Sequence, residues 1–190
     1  MSAAKSLTAL ELEQVLAYID TKPNAQRNRA MLLMTVLAGL RVSEVAGLML
    51  NDVVDERSHI RTEVFLAAHR VKHNHARTIY ISTRLQHELD LYRRSRTWIS
   101  RDVPFFATNR GQRSAFSVNT LTQHFFWLYK RSGVVNASSH SGRKTFLTSL
   151  SSKGISVFVL ASLAGHKSIS TTQRYITVND DLKRRAVELV

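Results

Sequence analysis

The chain has 190 residues, 44% of them apolar, with only two Pro and seven Gly; this suffices for one domain with a sizeable core and argues against a fibrous or disordered chain. The absence of cysteine excludes disulfides, thiolate metal sites and thiol nucleophiles; the longest apolar run, Ala30 to Leu40, is well short of the ~20 residues that span a bilayer, and the start lacks a signal-peptide core, so a soluble cytoplasmic protein is expected. The 27 Lys and Arg against 14 Asp and Glu give a net charge of +13 with no block long enough to be a tail, so the folded body is basic and a polyanion, nucleic acid first, is the natural partner. An anionic membrane, RNA or a merely basic soluble surface would satisfy the composition equally.

The first predicted helix is LTALELEQVLAYI, where Thr8 and Glu11 have capping-box spacing, Leu7 and Leu12 fit a hydrophobic staple, and Leu12, Val15, Leu16 and Ile19 share a face. TKPNAQ turns the chain. A second helix over 26–38 is apolar nearly all round from Met31, as in a central buried helix, and Gly39 ends it. Ser43 is placed to cap a short third helix through Leu48, with Asn51 and Asp52 turning the chain again. HIRTEVFLAA and ARTIYI, rich in β-branched and aromatic residues around a polar RVKHNH, predict antiparallel strands joined as a hairpin.

Helical periodicity resumes at Thr83, in capping-box spacing with Gln86, and Leu85, Leu89 and Tyr92 follow one face. After the loop TNRGQRS, helices are predicted over 118–131 (ended by Gly133), 140–152, 157–163 and 170–177; a last amphipathic segment, DDLKRRAVELV, has Asn179 as its cap. Its Leu182, Ala186, Val187 and Val190 fall on or near one face, which can pack on its own core or on another protomer. No repeat, low-complexity tract or interdomain linker interrupts the chain.

Arg41 stands at a helix-to-helix corner in AGLRVSEVAGL, with Glu44 three residues on. That pair can be a structural cap on carbonyls or an anion clamp oriented by the acid. His140 and Arg143 in SSHSGRKTF share a face if helical, and taken alone could be a solvated basic surface. His69, His73 and His75 cluster in the hairpin, but without acids or thiols and at no tight metal spacing, so they are assigned to a polar turn rather than to zinc.

In order and at these intervals, AGLRVSEVAGL, a hairpin lysine, HxxR and GHxxxxxTxxY resemble the tyrosine recombinase (phage integrase) family over nearly the whole chain. The resemblance implies an α+β, mainly α-helical catalytic-domain fold with a small antiparallel β-sheet. Its active Arg, hairpin Lys, His, Arg, His or Trp, and Tyr fall here on Arg41, Lys72, His140, Arg143, His166 and Tyr175, with Glu44 supporting the first arginine. VKHNHAR departs from the family's usual Gly-rich hairpin, and Lys144 stands where another His is common. Only 40 residues precede Arg41, without the family's usual N-terminal helical clamp, so a catalytic domain alone, as a short form or as an excised fragment, is expected over 1–178, with a C-terminal helix over 179–190 that can be exchanged between protomers.

What the resemblance implies chemically is site-specific cleavage and rejoining of double-stranded DNA. Tyr175 would attack to form a 3′-phosphotyrosyl bond, Arg41 and Arg143 would stabilise the pentavalent transition state, and Lys72 would protonate the leaving 5′-oxygen. His140 would move the tyrosine proton, and His166 would hydrogen-bond the phosphate on a helix-borne nucleophile segment. No metal, nucleotide or redox cofactor is implied. The partners implied are duplex DNA of the cytoplasmic nucleoid and a tetramer on two DNA sites, with a monomer in the absence of DNA. A non-catalytic DNA-binding regulator and a type IB topoisomerase are the alternatives.

Overall fold

The computed structural model describes residues 4–67, 76–111, 113–176 and 180–188. The chain order is α1 (Ala9–Asp20), α2 (Ala25–Leu37), α3 (Val42–Ala46), α4 (Leu50–Val53), β1 (Glu63–Leu66), β2 (Arg77–Tyr80), α5 (Thr83–Arg94), α6 (Val118–Arg131), α7 (Ser141–Ser152), α8 (Val157–Ala164), α9 (Ile169–Gln173) and α10 (Asp180–Val187). The fold is α+β and mainly helical, and the one sheet among the described residues is the antiparallel pair β1–β2.

Local chemistry accounts for most boundaries. Thr8 Oγ1 accepts the Glu11 N–H while the Glu11 carboxylate accepts the Thr8 N–H, closing the capping box that starts α1. Leu7 is buried and Leu12 partly so, as a staple requires. Three expectations shift. Ser43 lies inside α3 rather than capping it; the helix begins after Arg41, whose backbone N–H donates to Glu44 at 2.6 Å. Asn51 and Asp52 belong to the single-turn α4, because Asp52 accepts the Met49 N–H and winds the turn into a helix. Ser82, one residue ahead of Thr83, caps α5 by accepting from Leu85 N–H.

The main core forms around α2, whose residues Met31 to Val36 are all buried, and which packs against α1, α5 and α7. A second apolar layer comes from Tyr92, Phe105 and Phe106, with Trp98 stacked on Phe105 at 5.8 Å. Strand alternation sends Val64 and Leu66 of β1, and Arg77 and Ile79 of β2, to the buried side. A separate, smaller apolar cluster joins Leu147, Leu160 and Ala164, with Phe146, Leu150, Tyr175 and Ile176 packed against it.

One close approach fixes where α7 lies. A Cβ on Gly142 would fall on Thr35 Oγ1 in the last turn of α2, so only glycine lets the two helices meet at that depth. The residue after it, Arg143, is thereby brought over the C-terminal end of α2.

Candidate active site

Arg41, at the start of α3, donates from Nη1 to Glu44 Oε1 at 2.8 Å and reaches Gly165 O with Nη2 at 3.4 Å. The Glu44 side chain is fully buried. Its other oxygen accepts from Arg77 Nη2 at 2.7 Å, so one carboxylate holds two guanidiniums. Burial alone would raise the Glu44 pKa, but the charge of Arg77, the Arg41 backbone N–H and the charge of Arg41 outweigh it and hold the group below its ordinary value. Arg77 also donates to Leu163 O at the end of α8, and its aliphatic stem packs where a Cβ on Gly165 would come within 2.6 Å of Cδ. Gly165, at φ 60°, ends α8 in the left-handed conformation and turns the chain into His166.

Arg143 is 5% exposed and has no carboxylate partner among the described residues. It donates from Nη1 to Gly39 O and from Nη2 to Ala164 O, both at 2.5 Å, and Nη2 also meets His166 Nε2 at 3.1 Å. Burial first, then the charges of Arg41 and Arg77, bring its pKa down to about 9, so it remains a cation at neutral pH. A guanidinium has no acceptor, so His166 Nε2 must offer its lone pair. The ring proton therefore sits on Nδ1 and is donated to Thr172 Oγ1 at 2.8 Å. Burial, followed by the charges of Arg143, Arg41 and Arg77, holds the His166 pKa at about 4, in agreement with this neutral tautomer.

Tyr175 is half-buried, its ring stacked on His166 with centroids 6.0 Å apart. The expected helix over 170–177 is shorter: α9 ends at Gln173, and Tyr175 lies in the turn beyond it, with its N–H donating to Thr172 O at 2.9 Å. His140 is exposed at the N-cap of α7, three residues ahead of Arg143. Lys72 and the histidine cluster His69, His73 and His75 lie outside the described residues, as does Asn179.

These side chains border a single cleft of about 570 Å³. Arg41, His140, Arg143, His166 and Tyr175 line it, Lys144, Lys167 and Arg174 add positive charge, and no Asp or Glu is among its described lining residues. A cleft with this lining attracts and grips an oxyanion beside a phenol. Arg77 and the role of Thr172 escaped the sequence reading. Period-2 alternation in ARTIYI puts Arg77 in register with Ile79 on the buried side, and a buried cation needs a buried carboxylate, which was the available signal.

The chain belongs to the phage integrase family, whose pattern matches residues 5–181. It is 31% identical over 187 residues to the tyrosine recombinase XerA of Pyrococcus horikoshii, covering 98% of this chain and 61% of that protein. It is 34% identical over 189 residues to XerD of Xanthomonas axonopodis, covering 93% and 59%. The chain thus spans about six tenths of the length of these relatives. Among solved structures, XerA recombinase matches with a TM-score of 0.76 at 22% identity, covering 99% of this chain and 66% of that one. The Tn1549 transposon integrase in complex with a circular intermediate DNA matches with a TM-score of 0.76 at 19% identity, covering 100% and 67%. At these identities the two structures establish the fold.

Proposed function

We propose that this chain is the catalytic domain of a site-specific DNA recombinase that works through a covalent phosphotyrosine. The observation that carries this reading is the convergence of Arg41, Arg143, His166 and Tyr175, from four separate segments, on one cationic cleft. The Tyr175 oxygen attacks the scissile phosphorus, forming the O–P bond of a 3′-phosphotyrosine as the bond to the 5′-oxygen breaks. The phenolic proton passes to His140, and Lys72 supplies the proton that the leaving oxygen takes up. Rejoining is the reverse, with the 5′-hydroxyl of a second strand as nucleophile, so bond energy is kept and no external reactant is consumed.

Arg41 and Arg143 act on the non-bridging oxygens, where charge accumulates in the transition state. Arg41 is held by Glu44, and Arg143 by two carbonyls, so both are oriented before substrate arrives. A phosphate competes with His166 for Arg143 Nη2. Thr172 lets the histidine respond, because a hydroxyl can donate as readily as accept. With the ring proton moved to Nε2, Thr172 donates to Nδ1 and His166 gains an N–H to offer the phosphate.

In this reading residues 1–178 form the catalytic domain and 179–190 a helix that docks on a neighbouring subunit, assembling four protomers on two sites of nucleoid DNA from a monomer in the cytoplasm. Val187 of α10, 73% exposed, supports docking in trans over packing in cis.

The test is trapping on a nicked suicide duplex. The wild-type chain should give a covalent protein–DNA adduct, and Tyr175→Phe should give none while its DNA affinity stays within about three-fold, since the cationic surface does the binding. Equal adduct from Tyr175→Phe would remove the tyrosine from the mechanism.

A further inference from the structure

At the opposite end of α2 from Arg41, a second cleft of about 460 Å³ lies between the start of α2, the end of α5 and the 107–111 loop. Arg27 and Arg96 line it with Ser95, Thr108 and Asn109, and its lining contains no Asp or Glu. Arg27 is 8% exposed. Its Nη1 donates to Ala107 O at 2.8 Å and to Asn109 Oδ1 at 2.9 Å, its guanidinium lies 5.2 Å from the Phe116 ring, and its Nε is buried with no hydrogen-bond partner. Arg96 donates to the Tyr92 hydroxyl at 2.8 Å and stacks 4.9 Å over Trp98. Every one of these partners is neutral.

Among the described residues the buried arginines are Arg27, Arg77 and Arg143. Arg77 has Glu44 as its counter-ion. The other two are tied to backbone carbonyls, lack a carboxylate, and face a cleft bordered by another arginine: Arg41 for Arg143, and Arg96 for Arg27. A buried charge without a counter-ion is costly, and an anion bound at the cleft removes that cost. Charge effects nearby agree. Burial lowers the Arg27 pKa, with Tyr92 opposing it and a smaller repulsion from Arg96 adding to it, and burial together with the Arg27 charge holds His124 near pKa 4.

We propose that this second cleft binds a phosphate-class oxyanion between Arg27 and Arg96, with the polar side chains of Ser95, Thr108 and Asn109 completing the site. The anion can be a backbone phosphate of bound duplex or a free phosphate. Ten residues of α2 separate Arg27 from Leu37, roughly 15 Å at 1.5 Å per residue. One bound duplex is long enough to span both clefts. The duplex source rests on the recombinase reading; the phosphate site itself does not.

The experiment pairs two measurements. In the first, wild-type protein is titrated with inorganic phosphate against chloride at equal ionic strength, and NMR signals of the Trp98 indole N–H and the Asn109 side-chain amide report the second cleft apart from the catalytic one. Saturable shifts are expected, and Arg96→Gln should abolish them while Arg94→Gln, an exposed neighbour at the end of α5, leaves them. In the second, duplex affinity is measured against salt for the same variants in a Tyr175→Phe background. If the duplex supplies the phosphate, Arg96→Gln lowers the slope of log K against log salt by about 0.9 and weakens all sequences alike. Shifts without a change in slope assign the site to free phosphate. Absence of both overturns the proposal, whatever the outcome of suicide-substrate trapping; loss of trapping with the phosphate response intact would instead overturn the recombinase reading.

Discussion

Glu44 neutralises two cations at once, and it does so with no exposed surface of its own. Its loss should therefore matter more than the loss of an ordinary ion pair. Glu44→Gln leaves Arg41 and Arg77 facing each other without a counter-charge, and removing one partner of a buried pair costs about 3–5 kcal/mol. The expected outcome is a lower midpoint in urea unfolding with a two-state transition, and cleavage reduced even in the fraction that stays folded. Retention of wild-type stability would mean that Arg41 and Arg77 find other acceptors. At this scale much of the site was legible in the sequence: Arg41, Glu44, Arg143, His166 and Tyr175 were all picked out, because their motifs carry the spacing. Arg77 was not, since a lone arginine in a strand has no motif and its meaning comes only from the carboxylate packed over it.

Several helices were legible where their ends are written in side chains. Thr8 with Glu11 and Ser117 before α6 are such cases, and α6 itself occupies the expected 118–131. Ends set by tertiary contacts were not. Nothing in ISTTQRY announces that α9 stops at Gln173, since the segment's polar residues suit a helix or a turn equally, and the buried Thr172 decides it by pairing with His166. The approach of α7 to α2 was equally silent: Gly142 looks like a helix-weakening residue in sequence, yet it is where the two helices touch. Gly142→Ala should improve intrinsic helix propensity by up to about 1 kcal/mol, but overpacking against Thr35 costs about 1–3 kcal/mol. Net destabilisation is expected, seen as a lower melting temperature, together with slower cleavage as Arg143 is pushed off Gly39 O. A double substitution with Thr35→Gly, which removes both Oγ1 and the Cβ that would lie 2.8 Å from the new methyl, should restore the approach of α7 and with it the cleavage rate, though not the stability that a glycine in α2 costs.

For the whole molecule, the excess positive charge has two concentrations that the fold explains, one at each end of α2. The composition announced a polyanion partner but could not say where it sits, because clefts are made by residues distant in sequence. The proposed assembly rests on a different part of the surface, the C-terminal helix. Deleting residues 180–190 should leave the main core folded and single-site DNA binding intact, since α10 exposes Val187 rather than burying it, and should abolish the higher-order complex and strand exchange. Gel-shift and exchange assays on paired sites check this, and recombination by the truncated chain would place assembly elsewhere.

The tyrosine does not belong to the main core; it packs with Ile176 on the small cluster of Leu147, Leu160 and Ala164. A group held by so few apolar contacts can leave its place at a fraction of the free energy that unfolds α2, because stability is distributed in partly independent units. Hydrogen exchange should accordingly find the amides of α8 and α9 opening orders of magnitude more often than those of Met31 to Val36. Moving Tyr175 in or out then costs only a local opening, so under the proposed recombinase reading a neighbouring protomer that adds or withdraws a few contacts at this cluster silences one cleft and arms another while Arg41 and Arg143 stay in place.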